Sequence, residues 1–391
     1  MNLYDRKVRS VEQYLKRTWA EVDLDAIAHN YNMIKKAAGN AECMCIVKAD
    51  AYGHGAVPVA KELYNCGARY FAVSNIEEAL QLRDGGISAP ILILGYTPPE
   101  LADVLYINDI TQTVFSVGGA TALAKAAHGR TIKVHIKIDT GMSRLGLAGS
   151  KEQIVSQAKQ ICEMKSILAE GIFTHFARAD EKTSESTALQ FERFMAVISA
   201  LEGYGVKFKY RHCCNSAGVL AFPKYCLDMC RPGIAVYGIS PFGGEYGIPA
   251  MTLKTVVSQI KTILAETPVS YGGKYVTDKE TRIAILPIGY ADGFDRLLSG
   301  KAQVLINGQR VNTVGSICMD MTIADITDKD VSEGDTAVII GKDGENVITA
   351  CDIADLTETI PYEVISLIGK RVPRVFIKNG QIVGRTGLLE H

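Results

Sequence analysis

Lys48 ends a run of apolar and small residues, Cys43–Lys48, that reads as a β-strand. A lysine there either snorkels its amine to solvent or is buried for a purpose. Burial and cationic neighbours would weaken its hold on the proton and free the amine to attack a carbonyl. Two other segments suit an anion. Ser216 opens a helical stretch after HCCN and brings a hydroxyl close to free backbone N–H groups. Gly233 and Ile234 follow a run ending at Arg231, where the backbone can approach an anion closely. Ser216 alone could equally be a plain helix cap. A reactive lysine beside a phosphate site suggests a Schiff base with a phosphorylated aldehyde, and pyridoxal phosphate (PLP) is such a molecule. Lys137, Arg144 in DTGMSRLG and His175 in THFARAD also lie at or just beyond the ends of apolar runs.

The elements that must position these residues repeat. From about Trp19 to Gly238, short apolar runs alternate with helical stretches. The runs are Cys43–Lys48, Tyr70–Val73, Ile91–Leu94, Thr113–Phe115, Lys133–Ile138, Leu168–Thr174, Phe208–His212 and Leu227–Arg231. Eight strand–helix units predict an α/β fold, a TIM-type (β/α)8 barrel whose functional residues gather at the C-terminal strand ends. A doubly wound open sheet is the alternative. After about Ile248 the runs become rich in Val, Ile and Thr, with turn signals between them and an Asn307–Gly308 hairpin signal. The expected division is an extension over 1–17, a barrel over 18–247 and a mainly β domain over 248–391, on which the first strand could also pack.

Composition narrows the function classes. The chain has 391 residues and a formal net charge of −1, so no broadly basic surface for nucleic acid is expected. The polar start lacks the apolar core of a signal peptide, and no stretch is apolar enough to span a membrane; the expectation is a cytoplasmic protein. Ten cysteines at irregular spacings suit buried thiols in a reducing compartment. Cys43 with Cys45, and Cys213 with Cys214 beside His212, lack metal-ligand spacing, so no metal is expected.

VKADAYGHG closely resembles the PLP-lysine motif of bacterial alanine racemases, enzymes of PLP fold type III. The resemblance continues through HIKIDTGMSRLG, THFARAD, HCCNSAG, RPGIAVYG, VSYGGKY, PIGYADGFDR, SICMDM and TIPYEV, covering nearly the whole chain. It implies that Lys48 binds PLP and serves as one catalytic base, with Tyr271 as the base on the opposite face. Arg231 matches the arginine on the pyridine nitrogen. Tyr52, Ser216, Gly233, Ile234 and Tyr362 match the phosphate-binding set. Arg144 matches the arginine near the cofactor's phenolic oxygen and the substrate carboxylate, and Lys137 a lysine, often carbamylated, that holds it. His175 matches the histidine linking the tyrosine to Arg231. Met319 and Tyr290 match substrate-side positions, with Asp320 beside them. In this family Tyr271, Met319 and Asp320 reach the site from a second subunit, so the resemblance implies a homodimer.

The implied reaction is interconversion of L- and D-alanine, supplying D-alanine for peptidoglycan. Two bases on opposite faces of Cα suit racemisation better than one. An arginine on the pyridine nitrogen can only donate, which disfavours ring protonation and the side reactions it promotes. Alternatives are a racemase for serine or a broader range of amino acids, and a non-catalytic PLP-binding protein. Tyr362 favours alanine over serine, although a pocket discriminates one small group weakly. The second β domain, with Tyr271 in place, argues against a binding module.

Overall fold

The computed structural model describes residues 17–387. Nearly all of the expected extension over 1–17 lies outside the described residues. The chain divides into two compact units. Among the described residues, one unit spans 26–52 and 56–248, and the other takes 17–25, Gly53–Gly55 and 249–387.

The first unit is a closed barrel of eight parallel strands. After β1 (Thr18–Asp23), which belongs elsewhere, these are β2 (Glu42–Ile46), β3 (Tyr70–Val73), β4 (Ile91–Ile93), β5 (Ile110–Val114), β6 (Ile132–Lys137), β7 (Ile167–Phe173), β8 (Tyr210–Asn215) and β9 (Met229–Arg231). Pairing of β9 with β2, Cys43 opposite Cys230, closes the ring. Polar side chains cap the intervening helices where the chain must change direction. Asn75 caps Ile76–Asp84, Ser116 caps Val117–Ala126, and Ser150 forms a capping box with Gln153 at the start of Lys151–Cys162.

Several strands differ from expectation: β8 is Tyr210–Asn215 rather than Phe208–His212, β9 begins at Met229 rather than Leu227, and two further cases are informative. The first was expected to run to Lys48, but β2 stops at Ile46, and from Ala49 the backbone turns left-handed. The fourth was expected at Thr113–Phe115, yet β5 is Ile110–Val114. All five of its residues are buried, including Thr111, Gln112 and Thr113. Its polar middle hides it from a search for apolar runs. His135 and His212 are also fully buried, so the barrel interior holds a polar line among its aliphatic layers.

The second unit is built on an eleven-stranded, mostly antiparallel sheet. The strand β1, numbered with the barrel range in the sequence reading, lies inside this sheet. It pairs with Met251–Val256 on one side and Arg374–Lys378 on the other. The two-residue loop Asn307–Gly308 joins Gln303–Ile306 to Gln309–Val314, with φ of 50° and 71°. Both central residues being left-handed matches the twist of a tight hairpin. Leu286, Ile288, Val304, Leu305, Ile306 and Ile339 lie in its buried core. A short helix, Pro361–Ser366, carries Tyr362.

Candidate active site

The mouth of the barrel is assembled from the ends of β2, β6, β7, β8 and β9. Lys48 stands two residues past β2. Behind it Ala49, Asp50, Ala51 and Tyr52 are all left-handed, with φ of 51°, 53°, 54° and 53°. Each such non-glycine residue costs on the order of 1–2 kcal/mol, so the turn must be over-determined by its surroundings. Those surroundings are specific. Glu78 accepts hydrogen bonds from the backbone N–H groups of Ala49 at 2.8 Å and Ser74 at 2.7 Å. Asp50 accepts from the N–H of Ala56 at 2.7 Å. Tyr237 donates its hydroxyl to the carbonyl of Ile46 at 2.9 Å. Burial and the Arg144 guanidinium together hold the Lys48 amine below the usual lysine range, against the opposing pull of Glu78.

Ser216 begins the helix Ser216–Ala221 but is not its cap. Asn215 takes that role, accepting from the N–H of Gly218 at 2.9 Å. The Ser216 hydroxyl oxygen instead accepts from Gly233 at 2.9 Å and Ala235 at 3.4 Å. Its own proton is therefore left to donate. Gly233 packs so closely that an added Cβ would meet the Tyr52 hydroxyl at 2.6 Å. The Tyr52 and Ser216 hydroxyls and the Ile234 N–H thus surround a hollow lined by Gly233, whose own N–H is held by Ser216. This donor set fits a phosphate.

Arg231, 3% exposed, ends β9. It donates to His212 Nδ1 at 2.7 Å, the Thr174 carbonyl at 2.8 Å, the Cys213 carbonyl at 3.0 Å and His175 Nδ1 at 3.2 Å. Its partners are neutral acceptors rather than carboxylates. The guanidinium lies 5.2 Å over the Phe173 ring. Burial brings its pKa down to about 10, so it stays charged near neutral pH. His175 keeps some accessible surface, but its ring is surrounded by protein; burial and then Arg231 keep it neutral.

Lys137 sits at the end of β6, 6% exposed, with its amine 5.7 Å over Phe173. Burial, Arg144 and Arg231 lower it to about 8. The exposed Arg144 rides on a loop organised by Asp139. That carboxylate accepts from the N–H groups of Gly141 and Met142 at 2.9 Å and Ser143 at 3.1 Å. Partial burial raises the Asp139 carboxyl, but these bonds outweigh it and hold it low. Gln190 ties this loop to the next one, bonding Thr140, the His175 carbonyl and the Ala177 N–H.

The remaining expected residues belong to the second unit. Tyr271 opens a 3-10 turn with 71% of its surface exposed, its carbonyl held by the Ser316 hydroxyl at 2.9 Å. Tyr290 is 42% and Met319 52% exposed. Asp320 pairs with Arg371 at 2.7 Å. Arg371 also grips the buried Asp292, which Arg17 holds from another direction. Cys43, Cys45, Cys213 and Cys214 are buried free thiols.

Residues 22–241 match the family model for the alanine racemase N-terminal domain, and residues 250–376 match its C-terminal domain. The chain belongs to the alanine racemase family. It is 44% identical to an alanine racemase of Clostridium novyi over 380 residues, covering 95% of this chain and 98% of that one. A second, from Carboxydothermus hydrogenoformans, is 44% identical over 93% of this chain and the whole of its own length. Among solved structures, alanine racemase from Bacillus anthracis with bound L-Ala-P superposes with a TM-score of 0.91 at 39% identity, covering 96% of this chain and 98% of that one. Histidine racemase from Leuconostoc mesenteroides gives 0.84 at 28% identity, covering 93% and 98%.

Several residues of this racemase-family barrel were not singled out in the sequence for these roles. His212 drew notice only as a neighbour of two cysteines. His135, Glu170, Phe173, Glu78 and Gln190 were not singled out. The alternation of a strand puts His135 on the same face as Lys137, which was the one available signal.

Proposed function

We propose that this chain is a PLP-dependent racemase that interconverts L- and D-alanine. The observation that carries the reading is the barrel mouth itself. A lysine with a weakened hold on its proton shares it with a buried, charge-uncompensated arginine and a glycine-lined phosphate cradle.

Lys48 would hold PLP covalently, with Tyr52, Ser216, Gly233, Ile234 and Tyr362 on its phosphate. When bound, PLP supplies an electron-accepting ring that acidifies the substrate's Cα–H. Arg231 would hold the ring nitrogen as a donor that cannot accept a proton. Arg144 would hold the substrate carboxylate, Asp139 keeps its loop in place, and Lys137, once carbamylated, would hold Arg144. The Lys48 amine, with its lowered proton affinity, takes or returns the proton on one face of Cα. Tyr271 from a second copy does so on the other, with Met319, Tyr290 and Asp320 beside it. Its exposure in a single chain supports this division between two subunits.

A broader substrate range is the second reading, favoured by the likeness to a histidine racemase. The test is to incubate PLP-loaded protein with L-alanine, L-serine and L-histidine and measure the D-products. D-Alanine should form fastest and should vanish in Lys48→Ala. PLP uptake without any D-product would leave only a binding protein.

A further inference from the structure

Arg231 does not end the polar line inside the barrel; it begins it. His212 Nδ1 lies 2.7 Å from the guanidinium, and His212 Nε2 lies 2.8 Å from His135 Nδ1. His135 Nε2 is buried with no hydrogen-bond partner, 3.9 Å from Glu170 Oε1. Glu170 in turn accepts from the hydroxyls of Tyr70 at 3.3 Å and Thr111 at 3.2 Å.

The protons on this line are determined by chemistry. An arginine has only donors, so His212 Nδ1 must be the acceptor. A neutral imidazole carries one proton, so that of His212 is on Nε2 and points at His135. His135 Nδ1 must then be bare and its proton must sit on Nε2, facing Glu170. A second proton on His135 would set two N–H groups against each other. Every link therefore runs in one direction, from a donor-only cation to a carboxylate at ion-pair distance. Aligned chains of this kind strengthen one another in a low-dielectric interior.

Packing holds the rings in this order. The His212 ring stacks on Phe173 at 4.7 Å with 5° between planes. The His135 ring lies against Gly171, where an added Cβ would stand 2.6 Å from its atoms. Glycine directly after Glu170 thus leaves room for the imidazole that Glu170 faces. Burial drives both rings toward the neutral form, His135 down to about 3.

We propose that His135 and Glu170 are positioning residues for Arg231, acting through His212. They fix which ring nitrogens carry protons and so guarantee Arg231 a neutral acceptor. Arg231 is thereby held in place without a neighbouring carboxylate that would neutralise it. The tautomer assignment stands on the barrel alone; its link to catalysis rests on the racemase reading above.

The test uses full-length, PLP-loaded protein labelled with 15N-histidine and read by solid-state NMR. Both His212 and His135 should show a bare Nδ1 and a protonated Nε2. His135→Leu should shift the His212 nitrogens, alter the cofactor's absorption band and lower kcat for L-alanine, leaving KM nearly unchanged. The fall should be on the order of tenfold to a hundredfold, the penalty of leaving the buried His212 Nε2–H without an acceptor. His135→Asn, whose amide oxygen can replace Nδ1 as acceptor, should retain most of the kcat. If His135→Leu does not fold, Glu170→Gln and the His135→Asn spectrum carry the same comparison. A proton on His212 Nδ1, or His212 resonances and an absorption band indifferent to His135→Leu and Glu170→Gln, would overturn the proposal. Correct tautomers in a protein that forms no D-alanine would instead overturn the racemase reading and, with it, the catalytic link.

Discussion

Lys48 and Lys137 both hold their protons weakly, and for related reasons: each is buried and each feels Arg144. Their surroundings separate their roles. Lys48 is half-buried at the left-handed turn, whereas Lys137 is buried against Phe173. Borohydride reduction of the PLP-loaded protein, followed by peptide mass mapping, should place the pyridoxyl group on Lys48; finding it on Lys137 would reverse the assignment. Lys137 also makes a stability prediction. Its folded pKa of about 8 lies below the 10.5 of an unperturbed lysine. Below pH 8 both folded and unfolded states carry the charge, and its burial penalty is fully felt. Between those values the unfolded state binds more protons, so this group makes stability rise with pH. Lys137→Met should therefore stabilise the fold at pH 7 by on the order of 3 kcal/mol, with the gain shrinking towards pH 10. Denaturant titrations of both proteins at the two pH values would check this. At the cradle, Gly233→Ala would press its Cβ on the Tyr52 hydroxyl. PLP affinity should fall about tenfold, the scale of one charge-assisted hydrogen bond, and Tyr52→Phe in the same chain should add little further loss. Fluorescence titration with PLP reads both; additive losses would mean the two residues act separately.

At the scale of elements, the left-handed turn after β2 is the structural expense of the site. Ala49 is exposed, so its methyl packs on little and its backbone strain dominates. Ala49→Gly should raise stability by about 1 kcal/mol and Ala49→Val should lower it, as thermal melts would show. The opposite order would mean that the turn is unstrained. This element also marks where sequence reading stops. KADAY contains no glycine to announce four positive φ angles; hydrogen bonds made by Glu78, Asp50 and Tyr237 support them instead. The ends of β6, β7, β8 and β9 were legible because strands alternate with helices and functional residues cluster at one end of such a barrel. That logic found Lys137, Arg144, His175, Ser216 and Arg231 before any resemblance was invoked. It did not reach His135 or Glu170, which sit inside or near the other end of strands. A histidine in KVHIKID reads as one more barrel residue until its ring partner, 77 positions away, is known. The polar strand β5 was displaced for a similar reason, since Thr111 answers Glu170 across the barrel rather than any local pattern.

At the scale of the whole molecule, Lys48, Tyr52, Ser216 and Arg231 lie in the barrel unit, and the second unit exposes Tyr271, Met319 and Tyr290. Among the described residues no helix is long and apolar enough to cross a membrane. Exposed aromatic and methionine side chains of this kind suit burial against another copy. The central claim is that one reaction centre takes Lys48 from one chain and Tyr271 from another. It is tested most directly by complementation. Lys48→Ala and Tyr271→Phe chains, each carrying a different tag, are co-expressed and the mixed dimer purified. Each variant alone should be nearly inactive on L-alanine. A symmetric two-site dimer built this way holds one intact and one doubly defective centre, so it should show about half the wild-type activity per dimer. A mixed dimer no more active than its parents would contradict the shared site.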